Sequence, residues 1–187
     1  MDALSIDGWM SDAELNWLSR KARGCNLVVE IGTWLGRSTY AMGKSVGGKV
    51  ITIDHFSPKS IGGSQSSFYE KCLPEEVKDD PNWLYNLCLV NLSELIENGK
   101  VEVIRGNSDD VINSLQHLKN AVDMVFIDGD HSYDAVRRDI VNYKPLVRTG
   151  GLICGHDFFK RQLRWAVMEI LSGVRRSRGT SIWACGC

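Results

Sequence analysis

At 187 residues, 43% of them hydrophobic and 24% charged, the chain has the make-up of an ordinary globular domain with material for one substantial core. The 22 basic and 23 acidic side chains nearly cancel, to a formal net charge of -1, so no general electrostatic pull toward nucleic acid or an anionic membrane exists, and the one basic run, "RRSR" at 175–178, is too short to reverse that. The N-terminal residues lack a basic segment followed by an apolar core, and no apolar run is long enough to span a bilayer, so a cytoplasmic protein without membrane partners is expected.

In chain order, residues 11–22 read as a helix, with Ser11 and Glu14 spaced as a capping box. "LVVEI" (27–31) is the first strand pattern, followed by a helix at 38–45 and a second strand, "KVITID" (49–54). The connection from Asp54 to "VEVIRG" (101–106) is long for a compact domain and contains a helix at 84–97; its polar part, 56–82, is expected to be a substrate-covering loop. A helix at 109–118, the strand "DMVFID" (123–128), a helix at 133–143, the strand "GLICGHD" (151–157), a helix at 161–171 and a final strand "SIWAC" (181–185) complete the series. Repeated β-α-β units of this kind predict an α/β fold: one domain with a three-layer, Rossmann-like, mostly parallel sheet.

In such a sheet, ligands bind outside the carboxyl ends of the strands, and the first strand-to-helix turn, "EIGTWLGRS", lies there. A dinucleotide turn needs a glycine where the backbone approaches the pyrophosphate; here Trp34 stands at that place, between Gly32 and Gly36. A P-loop needs four residues between its glycines and a Lys-Ser/Thr pair, whereas this turn has three, Thr33 to Leu35, and then Arg37 and Ser38. What remains is an acid, Glu30, before the turn and a second acid, Asp54, ending the next strand. Asp54 is placed to accept hydrogen bonds from two ribose hydroxyls, while Glu30 acts through the loop or on an ammonium group. An adenosyl ligand with a positive centre and no phosphate fits, which is S-adenosylmethionine. The competing reading is that Gly32 and Gly36 only permit a tight turn.

The segments "VVEIGTWLGRSTYAMG", "FIDGDHSYDAVRRDI" and "GGLICGHDF" resemble class I S-adenosylmethionine-dependent methyltransferases of the group that includes macrolide-sugar O-methyltransferases and cephalosporin hydroxylase-like proteins. The resemblance covers nearly the whole chain and implies a seven-stranded sheet whose last strand is antiparallel. The stretch after Asp157 is short by the family pattern, and "RRSRGT" leaves little room for strand six. The resemblance implies cofactor contacts from Glu30, Gly32, Thr33, Trp34, Gly36, Ser38 and Asp54, with Asn107 and Ser108 near the adenine and Asp128 at the fourth strand end. "GNSD" at 106–109 is equally a good helix-start signal.

Chemistry is expected past strands four and five, where Asp128, His131, His156 and Asp157 gather as candidate catalytic groups. Methyl transfer to oxygen needs the acceptor held in line and its hydroxyl deprotonated, by a base or by a metal. Asp128, His156 and Asp157 match the positions where metal-dependent catechol-type O-methyltransferases hold their ion with oxygen ligands; magnesium prefers oxygen, so His156 either admits a transition metal such as manganese or is no ligand. His131 or His156 could alternatively be the base. His55 and His117 read as ordinary surface or packing residues, and Asp139 with Arg137 or Arg138 as a solvated helix face. The six cysteines, without a C-x-x-C pair, indicate neither zinc nor a disulfide frame.

The expected activity is O-methylation of a small hydroxylated molecule, a sugar or natural product. A non-catalytic S-adenosylmethionine-binding protein would not need the acid and histidine cluster, and a nicotinamide oxidoreductase would need the missing glycine. The tryptophans supply apolar area for an oligomer interface, although most of them read as core.

Overall fold

The computed structural model describes residues 2–57 and 80–187. In chain order these form α1 (Asp12–Ala22), β1 (Leu27–Ile31), α2 (Arg37–Gly43), β2 (Lys49–Asp54), α3 (Trp83–Glu97), β3 (Val101–Arg105), a short α4 (Ser108–Val111), β4 (Val122–Ile127), α5 (Tyr133–Tyr143), β5 (Val147–Gly155), α6 (Arg161–Ile170), β6 (Arg175–Arg176) and β7 (Trp183–Gly186). The loop expected at 56–82 to cover the substrate lies, over 58–79, outside the described residues.

The strands make one seven-stranded sheet in the order β3-β2-β1-β4-β5-β7-β6. The first five are parallel, and β7 runs antiparallel to both β5 and β6. Strand six exists but is two residues long, because Gly179 and the turn around it occupy the rest of "RRSRGT". Order reverses at β1, between β2 and β4, so the carboxyl end of β1 opens onto a crevice flanked by the two strand ends that follow.

Alternation along the strands builds a core on each face. Val28, Val50, Met124 and Phe126 point to a layer made by α1, α2 and α3, packing with Leu15, Leu18, Met42, Leu92 and Leu95. Their neighbours Val29, Ile51, Val125 and Ile127 point to the opposite layer, against Val136, Ile140, Tyr143, Leu163 and Val167 of α5 and α6. A parallel sheet covered on both faces in this way needs apolar residues at successive positions, which is why these strands read as runs.

Two elements depart from the sequence reading by more than two residues at one end. The helix expected at 109–118 ends after Val111, because Ser114 and Leu115 N–H groups bond three residues back, to Val111 and Ile112, and Ser114 Oγ also donates to the Val111 carbonyl. β5 begins at Val147 rather than Gly151: it pairs with Val122 before Gly150 and Gly151 and, after a shift in register, resumes at Leu152 opposite Met124. Among the described residues, no helix is long and apolar enough to cross a membrane.

Candidate active site

The glycine turn after β1 is held in a shape that its residues permit. Gly32 and Gly36 have φ of 93° and 92°, and Trp34 between them has φ 52°. A Cβ on Gly32 would overlap the backbone carbonyl oxygen of Asp128, and one on Gly36 would lie 2.9 Å from Leu92 Cγ, so glycine is required at both by conformation and by space. Behind the turn, Glu30 shares the strand face of Val28 and is fully buried against α2. Its carboxylate accepts from Ser38 Oγ (2.5 Å), Thr52 Oγ1 (2.7 Å) and Thr39 Oγ1, while Thr33 and Thr52 hydroxyls bond each other at 2.6 Å. Burial raises the Glu30 pKa to about 7 despite these three hydroxyls. Glu30 and Ser38 therefore brace the turn from within and do not line the open cavity.

Asp54 braces it from the other side. Its Oδ2 accepts the N–H groups of Thr33 (3.0 Å) and Trp34 (2.9 Å), and its Oδ1 accepts that of Phe56 (2.7 Å). Three backbone donors on one carboxylate fix the position of the turn relative to β2, while Asp54 still faces the cavity.

That cavity has a volume of about 890 Å³ and runs along the carboxyl ends of β1, β2, β3 and β4, within the range of small-molecule sites. Gly32, Trp34, Asp54, Asn107, Ser108 and Asp128 line it, all residues the sequence pointed to for the cofactor; Thr33 and Gly36 shape the turn from behind. His55, read from sequence as an ordinary residue, also lines it, with its Nδ1 accepting the Ser57 N–H at 2.9 Å. Trp9 stands at the same cavity, 5.3 Å from the Trp34 ring, which in turn meets Trp83 edge-on at 6.3 Å. Arg37 ties this N-terminal segment down: Nε donates to the Ile6 carbonyl at 2.5 Å and Nη1 to that of Met10 at 2.9 Å.

Asp139 requires a correction. It is 4% exposed and lines the cavity, where the sequence suggested a solvated face. Within α5 the buried residues are Ala135, Val136, Asp139, Ile140 and Tyr143, so Asp139 stands in the stripe that meets the core. The 3.6-residue period carries that signal, but the adjacent Arg137 and Arg138 mask it. Arg138 does face outward, paired with Asp109 at 3.1 Å.

Past β4 and β5, ligand atoms of Asp128, His131 and Asp157 lie within 4.8 Å of one another. His131 Nε2 is 2.7 Å from Asp157 Oδ2 and 3.8 Å from Asp128 Oδ1, yet is buried and out of line for a hydrogen bond with either. Burial alone would lower the His131 pKa, but the two carboxylates outweigh it and hold it at about 9. Burial raises Asp128 above the ordinary carboxylate range; burial would raise Asp157 too, but the adjacent His131 ring and the Lys160 ammonium take it well below that range. Lys160 Nζ sits 2.8 Å from Asp157 Oδ2 and reaches the cavity wall.

His156 is placed differently from His131. It is 7% exposed, and its Nε2 lies 2.7 Å from Ser181 Oγ and 3.1 Å from Glu14 Oε1, facing away from the trio. Only Nδ1 looks toward Asp128 and Asp157, at 3.7 Å from each. The three groups that converge are thus Asp128, Asp157 and His131, with His156 packed behind the two carboxylates.

A sheet in this order, with an acid-lined cavity at the switch point and a glycine turn above it, defines the class I methyltransferase fold. A family model described as "Methyltransferase domain" matches residues 29–158, well over half of the chain, and the chain belongs to this family of S-adenosylmethionine-dependent methyltransferases. Among solved structures, it is similar to the cofactor-bound Rv0187 from MTB (20% identity, 97% of this chain and 85% of that one, TM-score 0.69). It is likewise similar to an O-methyltransferase from Bacillus cereus in complex with SAH (18%, 99% and 86%, TM-score 0.66). A third is TomG from Streptomyces achromogenes, an O-methyltransferase involved in tomaymycin synthesis, in complex with SAM (17%, 95% and 81%, TM-score 0.65).

Proposed function

We propose that the protein transfers the methyl group of S-adenosylmethionine to a hydroxyl of a small molecule, a sugar or natural product, held past the ends of β4 and β5. The observation that carries this is the charge of the cavity: Asp54, Asp109, Asp110, Asp128, Asp130 and Asp139 line it, against Arg138, Lys160 and the His131 imidazolium. Such a cavity repels phosphate and attracts a sulfonium cation. That the Bacillus cereus protein and TomG are named O-methyltransferases supports oxygen as the acceptor atom.

In this reading Gly32, Trp34 and Asp54 hold the methionine and ribose portions, and Asn107 and Ser108 border the adenine. Asp128 faces the cavity with raised proton affinity and receives the acceptor's hydroxyl proton as the methyl group moves to oxygen. His131, held as imidazolium between two carboxylates, keeps Asp128 and Asp157 together in place of serving as the base. The donor set of two carboxylates and, once His131 has given up its proton, one imidazole nitrogen fits a divalent cation of mixed oxygen and nitrogen preference such as manganese better than magnesium. When bound, such an ion would acidify the acceptor hydroxyl. Calorimetric titration of S-adenosylmethionine and S-adenosylhomocysteine, followed by an acceptor screen by mass spectrometry with and without manganese, tests the proposal. Micromolar binding and a single methyl gain on a hydroxylated acceptor are expected, and absence of adenosyl-ligand binding by folded protein overturns it.

A further inference from the structure

From Phe159 to Arg178 the chain gathers six of its 22 basic side chains, Lys160, Arg161, Arg164, Arg175, Arg176 and Arg178, with one of its 23 acids, Glu169. The rest of the molecule keeps 16 basic and 22 acidic side chains, so a chain of net charge -1 divides into a span of +5 and a remainder of -6. Folding joins the two ends of that span. The guanidinium of Arg176 in β6 lies 4.7 Å from the ring centre of Phe159, just ahead of α6, and that of Arg161 lies 4.2 Å from the ring centre of Trp165. Lys160 is drawn to Asp157, but none of the five arginines has an ion pair among the described residues. Glu169 is engaged on the other flank of α6, where it accepts the Tyr133 hydroxyl of α5.

The same surface holds apolar side chains out in water. Phe159 is 68% exposed, Met168 57% and Trp165 50%; Trp165 and Met168, three residues apart on α6, are neighbours on its outer side. Leu163, Ala166 and Val167 face the sheet, so the core accounts for the inner side of α6 and leaves the outer one unexplained. Arginines on β6 alone would be explained as protection of an edge strand. That does not account for Arg161 and Arg164 on the helix, nor for three large apolar groups beside them.

We propose that this face docks the protein on an anionic lipid surface, with Phe159, Trp165 and Met168 entering the headgroup region while the arginines take lipid phosphates. The charge division orients the molecule, because attraction acts on the span of +5 and the remainder is turned away. The back of a helix is a convex ridge, which a fluid interface receives without a matching groove. Nucleic acid fits less well: bases stack on open ring faces, and here a guanidinium covers one face of each ring and Met168 offers none. Net charge and "RRSR" taken alone conceal the face, since half of its cations lie on α6 and at its start. Lys160 also lines the main cavity, so the docked face begins at the rim of that cavity.

Sedimentation of the full chain with vesicles tests the proposal. Phosphatidylcholine vesicles with about 30% phosphatidylglycerol should bind at least about 10-fold more tightly than phosphatidylcholine alone, and about 0.5 M salt should abolish the difference. Arg164 and Arg178 are exposed, with no side-chain hydrogen bond among the described residues. Arg164→Ala and Arg178→Ala should each weaken binding to the anionic vesicles by about 5-fold. Met168→Ser should weaken it by roughly 5-fold and leave the salt dependence unchanged. Brominated phosphatidylcholine in the same vesicles should quench the fluorescence of wild type more than that of Trp165→Phe. If an apolar variant melts early, the arginine variants and the salt titration of wild type carry the test. Equal binding to the two kinds of vesicle, arginine variants that bind as wild type does, or quenching that does not depend on Trp165 overturns the proposal. Binding to a single-stranded oligonucleotide in place of the vesicles overturns it too.

Discussion

Glu14 and Ser181, 167 residues apart, meet beside His156: Glu14 Oε1 accepts both the Ser181 N–H and its hydroxyl at 2.9 Å, and stands 3.1 Å from His156 Nε2. The other oxygen of Glu14 accepts the Ser11 N–H at 2.9 Å, closing the capping box of α1. One carboxylate therefore ends a helix, ties the C-terminal hairpin to it and supports the histidine behind Asp128 and Asp157.

Acid should release that knot. Burial alone would raise the Glu14 pKa, but the bonds from Ser181 and Ser11 and the nearby His156 bring it to about 2. A depressed folded-state pKa stabilises above the unfolded value near 4.5, and the contribution is lost as pH falls from there toward 2. Denaturation between pH 6 and 2 should show a loss on the order of 2 kcal/mol, and Glu14→Gln should remove most of that acid limb. An unaltered limb in the variant would show that other carboxylates produce it.

Glu30 should behave in the opposite sense. Its folded-state pKa of about 7 lies above the ordinary value, so relative stability is fully present below about pH 4.5 and falls as pH rises through 7. Glu30→Gln keeps one acceptor oxygen among the Ser38, Thr39 and Thr52 hydroxyls, places an NH2 donor at the other position for a rotated hydroxyl to accept, and removes the buried charge. Its melting temperature relative to wild type should rise between pH 6 and 8, measured by calorimetry at matched ionic strength. A constant difference across that range would refute the titration of Glu30.

Asp54→Ala removes the acceptor of three backbone N–H groups and a wall of the cavity. We expect a stability loss of roughly 2 kcal/mol together with at least 10-fold weaker binding of S-adenosylhomocysteine. Asp54→Asn, which keeps an acceptor oxygen, should fall between. Wild-type affinity in Asp54→Ala would remove Asp54 from the binding site.

Asp128→Asn and His131→Ala should separate binding from chemistry. Calorimetry should give S-adenosylhomocysteine affinity within about 3-fold of wild type, whereas turnover on an identified acceptor should drop by roughly 100-fold or more. Chelation should depress wild-type turnover, and manganese should restore it. Turnover indifferent to chelator would leave Asp128 acting as a base without an ion.

Much of this was legible from residue patterns. α5 was bounded correctly because Ser132 caps it, accepting the Ala135 N–H at 3.4 Å, and Pro145 follows its end. The parallel strands announced themselves because both faces are buried. Side-chain direction was not legible. His131 and His156 are each flanked by acids in sequence, and only tertiary packing turns one toward the carboxylates of the cavity and the other toward Glu14. Asp139 escaped notice for a related reason, since a charge beside two arginines looks solvated until the helix is rotated onto its neighbours.

The three bonds from Arg37 to the carbonyls of Leu4, Ile6 and Met10 have a mechanical consequence. Arg37 is the first residue of α2 and follows Gly36 directly, so one side chain joins the glycine turn to the N-terminal segment that bears Trp9. The indole at the cavity rim and the turn beneath it are thus held by the same guanidinium, and Arg37→Ala should loosen both.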